Sequence, residues 1–412
     1  MSANSALAAV FMALCLASPA RGQSALEWVG FGALPAASDV VSQGMGGITT
    51  LPDDAAGWLA SMPATWHNIR ATQLLVSVEA SEFRLGSLGV NNRVGPQNFQ
   101  FLMHANRRSA FGIALRPVSR VAAVFSDSIF TPTRDTLRFV QSRSATGGIS
   151  AFILGYSRRV RPTVALGLTL NVQLGTLTET DTLTFGERGT WDQVLSRRVF
   201  AERRLEFQGR TLGLSLAADV PPKSRGNLGV QLTLPLALNL IEVRTYATDE
   251  ASMNSVRHND IGSPLSFAAG YGVRLGERLR VLAEVGLTRL AQGGARNLVF
   301  GQYLESTRSA RLAWSYSPTG EEPILPARLH YRMGFTYGQY YLSDSQNGPL
   351  AEIALSIGIG YRSPRFRHRI DVAFQVGQRD TFLDEVREDF YRFSIGVSTA
   401  ELWFVRPNKK WD

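Results

Sequence analysis

Cysteine is almost absent from the 412-residue chain, with Cys15 the only copy. That excludes a disulfide framework, a zinc–thiolate cluster and a catalytic cysteine. Lysine is nearly as scarce, at Lys223, Lys409 and Lys410, so arginine carries the net charge of +9. The arginines are dispersed, with no dense block and no aromatic-interleaved patch, which argues against nucleic acid as a partner. Charged residues are 19% of the chain, below the roughly 25% of soluble domains. Hydrophobic residues make up 44%, too many for a disordered chain. The mean hydropathy of -0.04 is too low for a multi-helix membrane protein. No stretch beyond the N-terminus approaches the roughly 18 apolar residues of a membrane-spanning helix. The histidines His67, His104, His258, His330 and His368 form no metal-spaced pair on one face. A Gly-x-Ser-x-Gly elbow and a phosphate loop are both missing. The expectation is a protein with no metal, no cofactor and no enzymatic activity.

Residues Ala6 to Ala20 form an apolar run, followed by Ala20-Arg21-Gly22 with small residues at the two positions a signal peptidase reads. This predicts a signal peptide over 1–22, cut before Gln23. The run is short for a membrane anchor. Leu14, just before Cys15, is too large for the usual lipobox.

What recurs instead is strict alternation. Over Arg328 to Tyr337, Leu329, Tyr331, Met333, Phe335 and Tyr337 alternate with Arg328, His330, Arg332, Gly334 and Thr336. Ile370, Val372, Phe374 and Val376 alternate with Arg369, Asp371, Ala373 and Gln375. From Val230 to Leu240 every even position is Val or Leu, and the same holds from Val164 to Leu174. Period two over about ten residues means a strand with one apolar and one polar face, long enough to cross a bilayer with tilt. About fourteen such segments are predicted: 72–82, 97–105, 109–125, 145–158, 163–178, 203–219, 227–245, 264–275, 278–290, 306–316, 327–341, 350–362, 367–379 and 389–399.

The connectors alternate too. Asn106 to Ser109, Arg158 to Pro162, Pro221 to Gly226, Gly276-Glu277 and Ser363 to Arg365 are short. The connectors 126–144, 179–202, 246–263 and 291–305 are long and polar; 317–326 is long for its side and 342–349 is rather short. Short turns at one end and long loops at the other are the pattern of outer-membrane barrels. A soluble sandwich or propeller would use strands of about 5–6 residues. The fold class expected is all-β: a transmembrane antiparallel β-barrel of about 14 strands over 71–404, apolar outside and polar inside. A periplasmic extension follows at 405–412. In this reading, glycines of the run Gly270-Tyr-Gly272-Val-Arg-Leu-Gly276 are lumen-facing space rather than a dinucleotide motif.

Residues 23–70 do not alternate. Asp53 or Asp54 is positioned to cap a short helix over 55–61, ended by Pro63. Such a segment can pack inside the lumen of a fourteen-strand barrel. The order Gly44-Met-Gly46-Gly47, Asp53-Asp54-Ala55 and Met62-Pro63-Ala64 resembles the N-terminal hatch of the FadL long-chain fatty-acid transporter family, with Met62 where that family has Asn. Tyr391 to Ser398 followed by Trp403-Phe404, and Leu115-Arg-Pro117-Val-Ser119-Arg-Val121, are similar to FadL-like segments. The resemblance implies a hatch plugging the barrel, with Gly44, Gly46, Gly47, Asp53, Asp54 and Pro63 as its marks. It also implies passive uptake of hydrophobic compounds such as long-chain fatty acids, leaving sideways through a kink in the third strand. Pro117 lies in that strand and cannot donate to the ladder; its alternative reading is an ordinary bulge.

Lumen-facing charge offers two readings. Arg328, His330, Arg332, Arg278 and Arg280 could hold a ligand carboxylate, Arg328 and Arg332 in particular, since guanidinium suits bidentate contact. They could equally form an arginine–acid ladder that satisfies the barrel interior, together with Glu284, Arg369 and Asp371. The functional expectation is a monomeric outer-membrane conduit whose partners are hydrophobic small molecules and membrane lipid. The rivals are a FadL-like barrel that docks secreted partners and a general porin.

Overall fold

The computed structural model describes residues 37–53, 56–86, 90–130, 137–187, 197–220, 226–248, 251–260, 264–289, 303–304, 306–318, 329–344, 348–363, 368–381 and 386–401. The predicted signal peptide and C-terminal extension lie outside them. The strands are β1 (Thr72–Leu85), β2 (Val90–Asn106), β3 (Ser109–Phe130), β4 (Leu137–Arg161), β5 (Val164–Glu187), β6 (Arg197–Val220), β7 (Gly226–Thr248), β8 (Ser252–Asp260), β9 (Leu265–Leu275), β10 (Leu279–Arg289), β11 (Tyr303–Leu304), β12 (Thr307–Tyr316), β13 (Leu329–Asp344), β14 (Gly348–Arg362), β15 (Arg369–Asp380) and β16 (Arg387–Glu401). β8 folds back only onto β7, and β11 pairs only with β13. The other fourteen are barrel staves. β1 closes onto β16 through an unbroken antiparallel register from Thr72↔Glu401 to Leu85↔Glu388. That pairing joins the first stave to the last and closes the ring, which is what a strand-built structure needs in lipid.

The outer face is a belt of exposed apolar side chains. On β14 these are Ile353, Leu355, Ile357 and Ile359; on β5 they are Leu166, Leu168, Leu170 and Leu174. Above Leu174 the outward positions of β5 become Thr176, Thr178, Thr180, Thr182 and Thr184. The strand outlives the membrane there. This explains why 126–144 and 179–202 read as loops. Outside lipid neither face needs to be apolar, so the period-two signal fades while the β4–β5 ladder continues to Leu137↔Glu187. The 246–263 connector likewise contains β8.

Alternation also misplaces the upper part of β7. Arg210 pairs with Ala237 and Thr211 with Pro235, so Leu236 is bulged out. A one-residue slip exchanges the two faces. Leu236 stays outside, 56% exposed, while Leu240 is 1% exposed and packs with Leu177, Leu205 and Phe207.

The hatch fills the lower lumen. It contains α1 (Val40–Gly44), capped by Asp39, whose carboxylate accepts from Ser42 N at 2.8 Å. A 3-10 helix follows at Pro63–Asn68. The expected helix over 55–61 is not present among the described residues. The Asp53 side chain accepts from Ala56 N in a turn instead. Pro63 opens a helix rather than ending one, because its fixed φ suits a first helical position. Asp54 lies outside the described residues.

Candidate functional site

The lower wall is shaped to receive the hatch. A Cβ at Gly112 would stand 2.5 Å from the Trp66 ring, and Gly155 faces the same ring. Trp66 is wholly buried and donates through Nε1 to the Leu59 carbonyl at 2.8 Å. Gly229 and Gly270 back onto Thr50, Gly334 onto Gly46, and Gly358 onto Gly44. Gly272 is crowded by Leu282 and Arg280. These luminal glycines are therefore not open space: the hatch backbone and neighbouring side chains occupy it. Gly46 and Gly47 adopt positive φ, 67° and 78°, a conformation that Gly adopts without strain.

Polar anchors lock the hatch to opposite walls. Glu284 accepts from Thr49 N at 2.7 Å and from Thr50 N at 2.8 Å, and it also pairs with Arg311. Arg280 donates to the Pro52 carbonyl at 2.7 Å and to Asn227 at 2.8 Å. Arg332 pairs with Asp53 at 2.6 Å and with Asp371 at 2.9 Å. On the other side Ala64 N donates to Ser215 and His67 N to Ser157. Gln43 accepts from Gln97 Nε2 at 2.9 Å. Burial alone would raise the Asp53 carboxyl, but Arg332 and then Arg369 outweigh it and hold it well below the usual carboxylate range. Burial pushes the His67 imidazole down.

The predicted cationic site is thus divided. Arg332 and Arg280 are spent on the hatch, as in the reading of an internal arginine–acid ladder. Arg332 is completely buried, so it does not present its guanidinium to an open lumen. His330 is half-buried on the same strand, while Arg278 is exposed beside Gly276 and Glu277 at the β9–β10 turn. Arg328 lies outside the described residues. Of the hatch marks, Gly44, Gly46, Gly47, Asp53 and Pro63 all sit within the lumen plug.

Above the hatch lies a cavity of about 500 Å³. Its floor includes Gly46, Thr49, Ser61 and Pro63. Its wall is mostly hydroxyl and carboxamide, including Thr169, Asn171, Gln173, Thr211, Gln231 and Gln375. Apolar and aromatic residues interrupt it, Val118, Ala151 and Ile153 at one place and Phe267, Leu287, Tyr340 and Tyr341 at others.

Val118, Ala151 and Ile153 adjoin a break in the wall. The β2–β3 ladder runs from Asn106↔Ser109 only to Phe99↔Leu115. Beyond it β2 continues to pair with β1 as far as Val90, and β3 with β4 as far as Phe130. Two prolines stand just past the last pair, Pro96 in β2 and Pro117 in β3. Neither can donate to a ladder. Val118 is bulged out of the β3–β4 register, between Pro117↔Ser150 and Ser119↔Ile149. Pro96 was not singled out by sequence; a second proline on the opposite strand of the unpaired stretch is the signal that one proline alone does not carry.

The upper ends of β4–β7 hold a charged network around Glu179. Arg203 pairs with Glu242 at 2.6 Å and stands 3.8 Å from Glu179, while Arg244 pairs with Glu242 at 2.7 Å. Burial pushes the Glu179 carboxyl up to about 7.

Solved structures with this architecture include a Pseudomonas aeruginosa FadL homologue at 13% identity, covering 90% of this chain and 99% of that one, with a TM-score of 0.62. The CymD monoaromatic hydrocarbon channel matches at 15% identity over 88% and 97%, TM-score 0.59. The Pseudomonas putida toluene transporter TodX matches at 13% over 92% and 99%, TM-score 0.56. At these identities the likeness establishes the FadL-type fold. No functionally curated protein is similar in sequence. The BamG family model matches residues 3–411, almost the entire length over which hatch and staves are laid out, and the chain belongs to the BamG family.

Proposed function

We propose that the protein is an outer-membrane conduit for hydrophobic or amphiphilic small molecules, entering the cavity above the hatch and exchanging with the membrane through the β2–β3 seam. The seam carries this reading. It is a stretch over which two neighbouring described staves go unpaired, and it lies beside the apolar residues Val118, Ala151 and Ile153 of the cavity wall. Downward passage would have to break the Arg332–Asp53 pair and the Glu284 bonds. No chemical step and no cofactor enter this reading, and long-chain fatty acids are its first candidate cargo.

The polar lining of the cavity favours a second reading, a FadL-type barrel that serves as a docking or structural protein. Mass spectrometry of molecules retained by the natively purified barrel separates the two. Stoichiometric hydrophobic ligand is the expected result. A barrel that comes out empty, binds no added fatty acid and carries a co-purifying protein would sink the conduit. A general porin would show large steady conductance, which the seated hatch opposes.

A further inference from the structure

We infer that the periplasmic rim of β2–β5 binds the phosphate head of an anionic phospholipid in the surrounding membrane, through Arg107, Arg108, Arg158 and Arg161. The site lies outside the lumen and does not depend on the cargo. The chain enters the barrel at Thr72 and leaves it at Glu401, and these two residues are paired at one rim. The short β2–β3 turn, Asn106 to Ser109, and the short β4–β5 turn, Arg161 to Val164, lie at that same rim. Short turns mark the periplasmic end of an outer-membrane barrel. Asn106 fixes the first turn by accepting from Arg108 N at 2.9 Å. The Arg159 N–H donates to the Arg108 carbonyl at 2.7 Å and ties the two turns together. Arg107, Arg108, Arg158 and Arg161 are all exposed. None has a carboxylate at ion-pair distance among the described residues. The β9–β10 turn carries Glu277 beside Arg278, whereas the two joined turns contain no acid. Like charges gathered in this way repel, and an anion shared between them relieves the repulsion.

Position selects a lipid over a soluble anion. Arg158 continues the outward face of β4 below Phe152, Leu154 and Tyr156, and it stands between Ser109 of β3 and Leu166 of β5. Phe111, Leu154, Leu166 and Leu168 around it are exposed and belong to the lipid-facing belt. The Phe111 and Tyr156 rings lie 4.9 Å apart, one rung above Arg158. The Tyr156 hydroxyl is 3.3 Å from Ser109 Oγ, on the rung of Arg158, so the polar edge of the ring points to the arginines. Val160, bulged from the β4–β5 register among the arginines, is exposed as well. The face therefore passes from apolar through aromatic to cationic. Those levels match acyl chain, membrane interface and phosphate. A soluble acidic partner would need only the last of them.

The test is native mass spectrometry of the full-length detergent-purified barrel titrated with dioleoyl phosphatidylglycerol or with dioleoyl phosphatidylcholine, which has the same chains and no net charge. Wild type is compared with R107Q/R108Q/R158Q/R161Q. The control is R204Q/R257Q/R289Q/R308Q, which removes the same charge from exposed arginines at the opposite end of the barrel. Heat-modifiable gel mobility verifies the fold, and R158Q alone provides a milder variant. Phosphatidylglycerol should bind wild type and the control at least about tenfold more tightly than phosphatidylcholine, since basic contacts to a lipid head accumulate. The preference should shrink in R158Q and vanish in R107Q/R108Q/R158Q/R161Q. Equal affinity for the two lipids in wild type overturns the anionic site. A preference lost equally in the control reduces it to net charge and overturns the location. Displacement of phosphatidylglycerol by an equal concentration of inorganic phosphate or of soluble polyglutamate overturns the lipid as occupant.

Discussion

Two walls of the same barrel treat their neighbours in opposite ways. From β9 to β15 the staves stay paired, with one register shift between Gln339 and Ser343, and Arg280, Glu284 and Arg332 reach inward to grip residues 49–53 of the hatch while Asp371 braces Arg332. Between β2 and β3 the ladder stops at Phe99↔Leu115. One wall invests its charge in holding the plug, and the other leaves backbone pairing unmade. A barrel can thus be sealed along its axis and interrupted at its side, because the two properties are set by different residues.

The largest expected effect comes from breaking the gripping wall. Arg332→Met leaves Asp53 buried without its closest cation, a loss of about 3–5 kcal/mol. Protease cleavage within residues 44–60 should rise sharply in R332M while the gel mobility of the folded barrel stays unchanged. Adding Asp53→Leu should restore part of the loss, since the uncompensated charge is then gone. Hatch protection equal to wild type in R332M would show that the ion pair does not hold the plug.

A smaller effect should come from sealing the other wall. Pro96→Val with Pro117→Val returns two backbone donors to the seam, each worth about 1 kcal/mol if a partner is found. Amide exchange over 90–98 and 116–122 should slow, and ligand entry with it. Unchanged exchange would mean that the prolines follow the break and do not cause it.

The smallest effect concerns the network above the membrane. The Glu179 carboxyl is raised from 4.5 to about 7, so the folded state holds its proton more tightly than the unfolded state. Its contribution is therefore unfavourable at high pH: stability falls as pH rises between those values and levels off above about 7. Glu179→Gln should flatten that slope and leave hatch protection and cargo affinity alone. Infrared spectra of wild type near pH 6 should show a protonated carboxyl that E179Q lacks; its absence there would refute the assignment.

Most staves were legible from sequence because lipid on one side and a wet or plugged lumen on the other impose period two. Segment 306–316 contains β12, with Leu312 and Trp314 outward and Arg311 turned in to Glu284. Legibility failed where that physical contrast ends. Threonine-rich upper strands looked like loops, and Leu236 concealed a change of face. The charge grouping was visible, but partners were not. Nothing local ties Asp53 to Arg332, 279 residues away.

The hatch also implies an order of events. Its 3-10 helix, Pro63–Asn68, packs against β3, β4, β5 and β6, whereas α1, Val40–Gly44, packs against β13, β14, β15 and β16. If strands enter the membrane in the order in which they are made, the later part of the plug finds its seat first. Its earlier part must then wait, with Asp53 uncompensated, until the last quarter of the barrel arrives. Trp66 in its slot between Gly112 and Gly155 would act as a mooring line during that interval, keeping the unfinished cylinder wrapped around the segment that will later bolt it shut.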